Sequence, residues 1–299
     1  MISKLKNISQ KKKVEYGFVA ALTFLHVIHF LVFYVYINAS AITMGFRDEI
    51  TNKFTFRYFE IFAMDINSPT SLIKESLINT LLTFFVQNAI VFPISLLFSY
   101  FLYKKIMAYK YFRIVFFLPN IISAVVLTTL FRYIMNGPIA GIMMDWMSLD
   151  APPLLLNSER YAMTSTLIYI IWTSLGSGMV IHCGTLARIP AEIVDSCKID
   201  GAGFFTELIH ISIPLIWPTL STLILLNFIG IFGTSGPTLL LTNGSYGTCT
   251  ISFWIYRSTV ITPSYHYASA VGFVFTCIGV PLAFFCRWLL SKVGSEEEF

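Results

Sequence analysis

Six apolar stretches dominate this chain, at about residues 16–37, 77–101, 114–135, 162–186, 211–233 and 267–290. Each is long enough to carry an α-helix across a hydrocarbon core of about 30 Å, which takes roughly 20 residues. A bilayer offers no water to backbone N–H and C=O groups, so such stretches must satisfy them within helices. Of the 299 residues, 56% are hydrophobic and 12% charged, against roughly 25% charged in ordinary globular domains. The expected fold is all-α integral membrane, with one six-helix domain over 16–292, a basic head over 1–15 and a short tail over 293–299. No internal repeat or linker marks off a second domain.

Charge sets the expected orientation. Lys4, Lys6, Lys11, Lys12 and Lys13 should hold the head in the cytoplasm. With six spans, both termini and the 187–210 loop then face the cytoplasm. That arrangement places 13 Lys and Arg inside and 7 outside, and Arg47, Lys53, Arg57 and Lys74 of the seven share one long outer loop. The first apolar run is longer than the 7–15 residues of a signal-peptide core, so it reads as a retained span despite Ala39-Ser40-Ala41. The net charge of +4 sits largely on the cytoplasmic flanks. It suits anionic membrane lipid and makes no case for nucleic acid.

The loop between the fourth and fifth apolar stretches is the one extended polar segment in the second half of the chain. Ile189, Ile193, Cys197 and Ala202 recur at roughly helical spacing, with Glu192, Asp195, Lys198 and Asp200 elsewhere, which predicts a short amphipathic helix. Pro190 suits its first turn and Gly201 the reversal after it. A helix of this kind can insert its apolar side into a partner's groove and pair its acids with the partner's Arg or Lys.

The spacing carries more than a helix. Asp195-Ser196-Cys197, then Gly201-Ala202 and, with nine residues between the glycine and it, Ile211-Ser212-Ile213-Pro214 resemble the cytoplasmic EAA loop of permeases in binding-protein-dependent ABC importers. Asp195-Ser196-Cys197 stands where the family has Glu-Ala-Ala, keeping the acid and the small residues but shortening the acid by one methylene. The resemblance runs over about residues 70–290. It includes Ser76-Leu77-Ile78-Asn79-Thr80 at the second span, Arg113 through Asn120 with a proline kink at the third, and Leu241-Thr242-Asn243-Gly244 with Thr248 and Thr250 before the last. Tyr267-Ala268-Ser269-Ala270 opens the last span in the family manner. This combination is similar to the maltose-type and multiple-sugar permeases.

The resemblance implies a fold, partners and site residues. The chain would form half of a translocation pathway in a bacterial cell membrane, paired with a second homologous permease. It would rest on two ABC ATPase subunits, which bind ATP and magnesium, and would receive solute from an extracytoplasmic binding protein. Glu192, Asp195, Ser196, Cys197, Asp200, Gly201, Ala202, Ile211 and Pro214 would couple it to the ATPases. Counting from Asp195, solute would be held midway through the membrane by Trp172, Thr173, Ser174, Ser177, Asn227 and Thr234. Hydroxyls and amides suit sugar hydroxyls, and an aromatic face can stack on a sugar ring. The same polar residues can equally join helices to one another.

Other chemistry finds little support. No phosphate loop of the form GxxxxGK[ST] occurs, so this chain should bind no nucleotide and catalyse no hydrolysis itself. Neither a Ser/His/Asp nor an HExxH arrangement is present. His26 and His29 lie one turn apart but lack further ligands for zinc, and should hydrogen-bond between helices. The five cysteines form no CxxC pair and read as small buried residues. No Asp or Glu lies mid-span, and Arg132 and Arg287 fall near expected span ends, where long side chains reach the interface. Ion-coupled carriers usually need an acid within the membrane, so energy should enter from outside this chain. An importer of a glycerol phosphoester, a self-contained secondary carrier and an integral membrane enzyme are the alternatives.

Overall fold

The computed structural model describes residues 10–233 and 235–293; most of the basic head, Thr234 and nearly all of the tail lie outside the described residues. Among the described residues six helices are long and apolar enough to span, at Glu15–Gly45, Leu72–Tyr103, Ala124–Met147, Ala162–Leu186, Phe204–Ile229 and Tyr265–Val293. They are called the first to sixth spans below. The all-helical expectation holds: each of the six apolar stretches is mainly helical, although the third is interrupted.

The first span runs on to Gly45 and the third to Met147, and three starts move by more than two residues, each for a local reason. The second span starts at Leu72, because Ser71 caps it by accepting a hydrogen bond from the Ile73 N–H at 3.2 Å. The third apolar stretch is divided. Tyr109–Ile121 forms one helix containing Pro119, the backbone turns extended at Ile122 (ψ 140°), and the span itself begins at Ala124. Pro119 cannot donate to the Val115 carbonyl, which weakens the last turns of this helix, and the helix ends two residues later at Ile121. The longer third span places Arg132 well inside the helix, on its exposed side, and not near an end as expected. The fifth span begins at Phe204, seven residues before the expected start, because a buried charge within it is paired as described below.

Prolines also leave their mark inside the spans. Phe30–Tyr36 of the first span is a wide, π-type turn with no proline near it; three further such turns in the spans occupy Val86–Val91, Met135–Ile139 and Leu208–Ser212. Pro93 and Pro214 stand two residues after the first and last of these, and Pro138 within the other. A missing N–H releases a carbonyl of the preceding turn and lets the ladder widen there.

Two compact units divide the described chain, one built from residues up to Phe62 with Ser264–Phe273, the other from Ala63–Pro263 with the rest of the sixth span. In the first unit Gly45 meets Ala270 so closely that a Cβ would lie 2.9 Å from the Ala270 nitrogen. Phe46 gathers Phe54, Phe59 and Phe273 around it, and His266 Nδ1 lies 2.9 Å from the Met44 carbonyl. His26 Nδ1 lies 3.0 Å from the Leu22 carbonyl of its own helix, which replaces the expected bond to another helix.

The second unit is organised by the fourth span. It packs along the second over much of its length and against the Tyr109–Ile121 helix beside it. Gly176 makes the latter approach: a Cβ there would lie 2.2 Å from both Asn120 Nδ2 and the Phe116 carbonyl oxygen. Asn79 donates to the carbonyls of Gly247 and Cys249, both at 2.9 Å, and Thr80 Oγ1 accepts from the Ile251 N–H. The Asn-Thr pair therefore pins the loop before Ile251 to the second span. Cys197, Cys249 and Cys286 are buried as expected, but Cys277 is exposed.

Candidate functional site

Two regions carry the predicted site residues, a loop helix and a set of cavities. Ala191–Ile199 is a helix, entered through Pro190 with extended ψ (134°). Its end is a Schellman motif: Ala202 N–H donates to the Cys197 carbonyl at 2.9 Å, and Gly201 N–H to that of Lys198 at 3.1 Å. Gly201 occupies the left-handed position at φ +76°, which explains why the motif needs glycine there.

The apolar side of this helix points the other way from the expectation. Ile189 and Val194 are buried against Leu96 and Tyr100 of the second span and Leu208 and Ile216 of the fifth, and Cys197 is buried on the same helix. Cys197 is thus a packing residue within its own chain and is not available to a partner's groove. What remains outside includes Glu192, Asp195, Ser196, Lys198, Asp200 and Ile199, the last 87% exposed. Ser196 Oγ donates to the Glu192 carbonyl at 2.8 Å. Lys198 Nζ donates to Asp195 Oδ1 at 2.7 Å, and this hydrogen bond holds the Asp195 carboxyl below its ordinary range. Ile211 is half-buried, and Pro214 is exposed at the start of the regular part of the fifth span.

One buried ion pair ties the loop to the body. Glu207, 5% exposed at its side chain, meets Lys104, which closes the second span. Phe204 stacks on Phe101 at 4.9 Å and stands edge-on to Tyr100 at 4.7 Å. The aromatic contacts and the charge pair enclose each other, and a paired charge is what permits Glu207 to lie inside an apolar setting.

The cavities lie among the second, third, fourth and fifth spans and the loop before the sixth. One of about 350 Å³ is walled by Thr83, Gln87, Thr128, Tyr169, Thr173, Ser174 and Thr250. A second of about 300 Å³, nearer the loop helix, is walled by Gln87, Ser95, Ser174, Ser177, His182 and Asn227. A third of about 140 Å³ is bounded by Thr80, Thr83, Gln87 and Asn227. Gln87 lines all three, and Ser174 the larger two. The two larger volumes fall at the lower end of the range for small-ligand pockets, about 300–1,000 Å³.

Most predicted pathway residues meet there, with two exceptions. Thr173 and Ser174 line the first cavity, and Ser174, Ser177 and Asn227 the second. Thr173 donates its hydroxyl to the Tyr169 carbonyl and Ser177 to that of Ser174, which leaves their oxygens free to accept. Asn227 also ties helices, donating from Nδ2 to Asn88 Oδ1 at 3.1 Å. Trp172 faces elsewhere, stacked on Phe131 with ring centroids 6.2 Å apart, in an apolar cluster. Tyr169, less than one turn away, supplies the aromatic wall instead. Thr234 lies outside the described residues. Gln87, Thr83 and His182 were missed, because isolated polar residues in apolar runs carry no signal of where they point.

Several known proteins resemble the chain. The family described as binding-protein-dependent transport system inner membrane component matches residues 21–295. The chain is 28% identical over 193 residues to the probable ABC transporter permease protein YurN of Bacillus subtilis (strain 168), covering 62% of this chain and 65% of that one. It is 26% identical over 271 residues to the arabinooligosaccharides transport system permease protein AraP of the same organism, covering 88% and 84%. Its fold matches that of a bacterial ABC transporter involved in import of the acidic polysaccharide alginate, with TM-score 0.79 and 20% identity, over 94% of this chain and 98% of that one. With the family match running from the first span to the end of the sixth, this chain is a multi-pass membrane protein of the binding-protein-dependent transport system inner membrane component family.

Proposed function

We propose that the chain is one permease subunit of an ATP-driven ABC importer and carries a neutral sugar or oligosaccharide. The wall chemistry is the observation that carries this reading. The residues lining the three cavities include no Asp, Glu, Lys or Arg, and their polar groups are mostly hydroxyls and amides. Such groups exchange hydrogen bonds with a polyhydroxyl solute and leave a phosphoester anion without a counter-charge. They also offer no carboxylate to bind a coupling ion, which disfavours a self-contained carrier.

On this reading both termini and the loop helix face the cytoplasm. Two partner ATPase subunits, holding ATP and magnesium, receive Glu192, Asp195, Ser196, Asp200 and Ile199. Cys197, Gly201, Ala202, Ile211 and Pro214 shape the loop that presents them. A second homologous permease completes the pathway, and an extracytoplasmic binding protein delivers solute. Movement of the ATPases reaches the spans through the loop, which is held to the second span by Lys104–Glu207 and covalently to the fourth and fifth. Alternating access then follows from rocking of the spans. The arabinooligosaccharide name of one relative agrees with the solute class.

Uptake by cells with and without the chain tests this. Labelled neutral oligosaccharides should enter only when the chain is present and only when cells can make ATP. Chain-dependent entry of a glycerol phosphoester with no sugar uptake rejects the solute class. Entry driven by an ion gradient after ATP depletion rejects the mechanism.

A further inference from the structure

The cavity nearest the loop helix holds a buried group that the pathway reading leaves unused. His182 is 1% exposed, and its Nδ1 has no hydrogen-bond partner among the described residues. Its ring stands edge-on to Phe92, at 5.1 Å and 86°. A buried polar atom without a partner costs free energy comparable to a lost hydrogen bond, so its persistence calls for a function.

The surroundings point to one. His182 lines the 300 Å³ cavity with Ser95, Ser177 and Asn227, and that cavity adjoins the larger one at Gln87 and Ser174. Gly178 keeps this wall open: a Cβ there would lie 2.9 Å from Ser95 Oγ and 3.8 Å from His182 Nε2. Gln87, at the junction, is half-buried and lines both chambers. His182 lies one turn before Leu186, where the fourth span ends and the coupling loop begins.

We infer that His182 is a specificity-determining residue, hydrogen-bonding a solute hydroxyl in the loop-side chamber after the solute passes Ser174 and Gln87. The inference rests on the neutral-sugar reading above and adds a second station to it. An imidazole both donates and accepts, so it can hold a hydroxyl in either sense, whereas Ser95 and Ser177 have given their hydrogens to the Phe92 and Ser174 carbonyls.

The test is a cycle between protein and solute, using the complete transporter in proteoliposomes with its partner chains. Uptake of the preferred sugar is compared with that of its singly deoxygenated analogues. In the wild type, one analogue should be taken up roughly three- to tenfold more slowly, the worth of one hydrogen bond. His182→Leu should slow the parent sugar by a similar factor and show no further loss with that analogue. His182→Asn, which returns a polar atom near the place of Nδ1, should restore the discrimination. Thermal stability of the purified variants serves as the control for packing. Identical analogue ratios in wild type and His182→Leu overturn this inference and leave the sugar reading standing. No uptake of any neutral sugar by the wild-type transporter overturns both.

Discussion

Lys104 and Glu207, one at the end of the second span and the other four residues into the fifth, form an ion pair with both side chains largely shielded from water. Residues 187–203 leave the fourth span, turn through the loop helix and return at this pair. The loop is therefore clamped at its far end by a charge interaction in an apolar setting. Removing one member of such a pair typically costs about 3–5 kcal/mol, because the other is left buried and uncompensated. Glu207→Ala should lower the melting temperature of the purified protein and reduce solute-stimulated ATP hydrolysis in the assembled transporter. Lys104→Met combined with Glu207→Leu should recover most of the thermal stability. A double variant no more stable than the worse single variant contradicts the clamp.

Gly201 separates backbone geometry from space. A Cβ at this position meets nothing within 4 Å, so Gly201→Ala suffers only the left-handed backbone strain, about 1–2 kcal/mol. Proline fixes φ near −65° and cannot adopt +76°. Gly201→Ala should retain most of the solute-stimulated ATPase activity, and Gly201→Pro should abolish it while the protein still inserts in the membrane. Equal activity in the two variants removes the turn from the coupling role.

Asp195 makes a pH-dependent prediction with a defined sign. Its carboxyl is held low by the Lys198 hydrogen bond and charge. A depressed folded-state value means the interaction is present above the ordinary carboxylate range, near pH 4, and is lost as pH falls through the depressed value. Stimulated ATPase activity should therefore show no titration attributable to Asp195 between pH 8 and about pH 5. Asp195→Lys should abolish stimulation at every pH without impairing membrane insertion, since the side chain is exposed and lies outside the packed face.

Gly176 and Gly184 lie two turns apart in the fourth span and should differ sharply. The Gly176 position abuts Asn120 and the Phe116 backbone, whereas a Cβ at Gly184 meets nothing within 4 Å. Gly176→Ala should destabilise the protein by about 1–3 kcal/mol through overpacking, and Gly184→Ala should leave the melting temperature nearly unchanged. Thermal unfolding of the two single variants in one detergent checks both.

Gln87 and Asn79 make a similar contrast for polar groups in the second span. Asn79 holds two loop carbonyls, so Asn79→Ala should destabilise the loop before Ile251 and lower the melting temperature. Gln87 lines three cavities, so Gln87→Leu should leave stability largely intact and depress uptake. A large stability loss with Gln87→Leu reassigns that amide to helix packing.

The sequence alone determined the membrane class, the six helices and the loop helix, because these follow from local quantities. Span length, hydropathy and the Gly201 turn are properties of contiguous residues, and the bilayer leaves the backbone no alternative to helix. The Asp195-to-Pro214 spacing likewise pointed to the family in which the chain belongs. Direction was decided only by the tertiary structure. Periodicity distinguishes two faces of the loop helix but not which neighbour each meets. Leu96, Tyr100 and Ile216 come from the second and fifth spans and claim Val194, leaving Ile199 and the acids outside. The start of the fifth span was hidden because Glu207 reads as polar until Lys104, about a hundred residues earlier in the chain, neutralises it. In the same way Trp172 turned to an apolar cluster while Gln87 and His182 reached the cavities. A side chain's exposure in a helix bundle depends on what packs beside it, and only the fold brings those neighbours together.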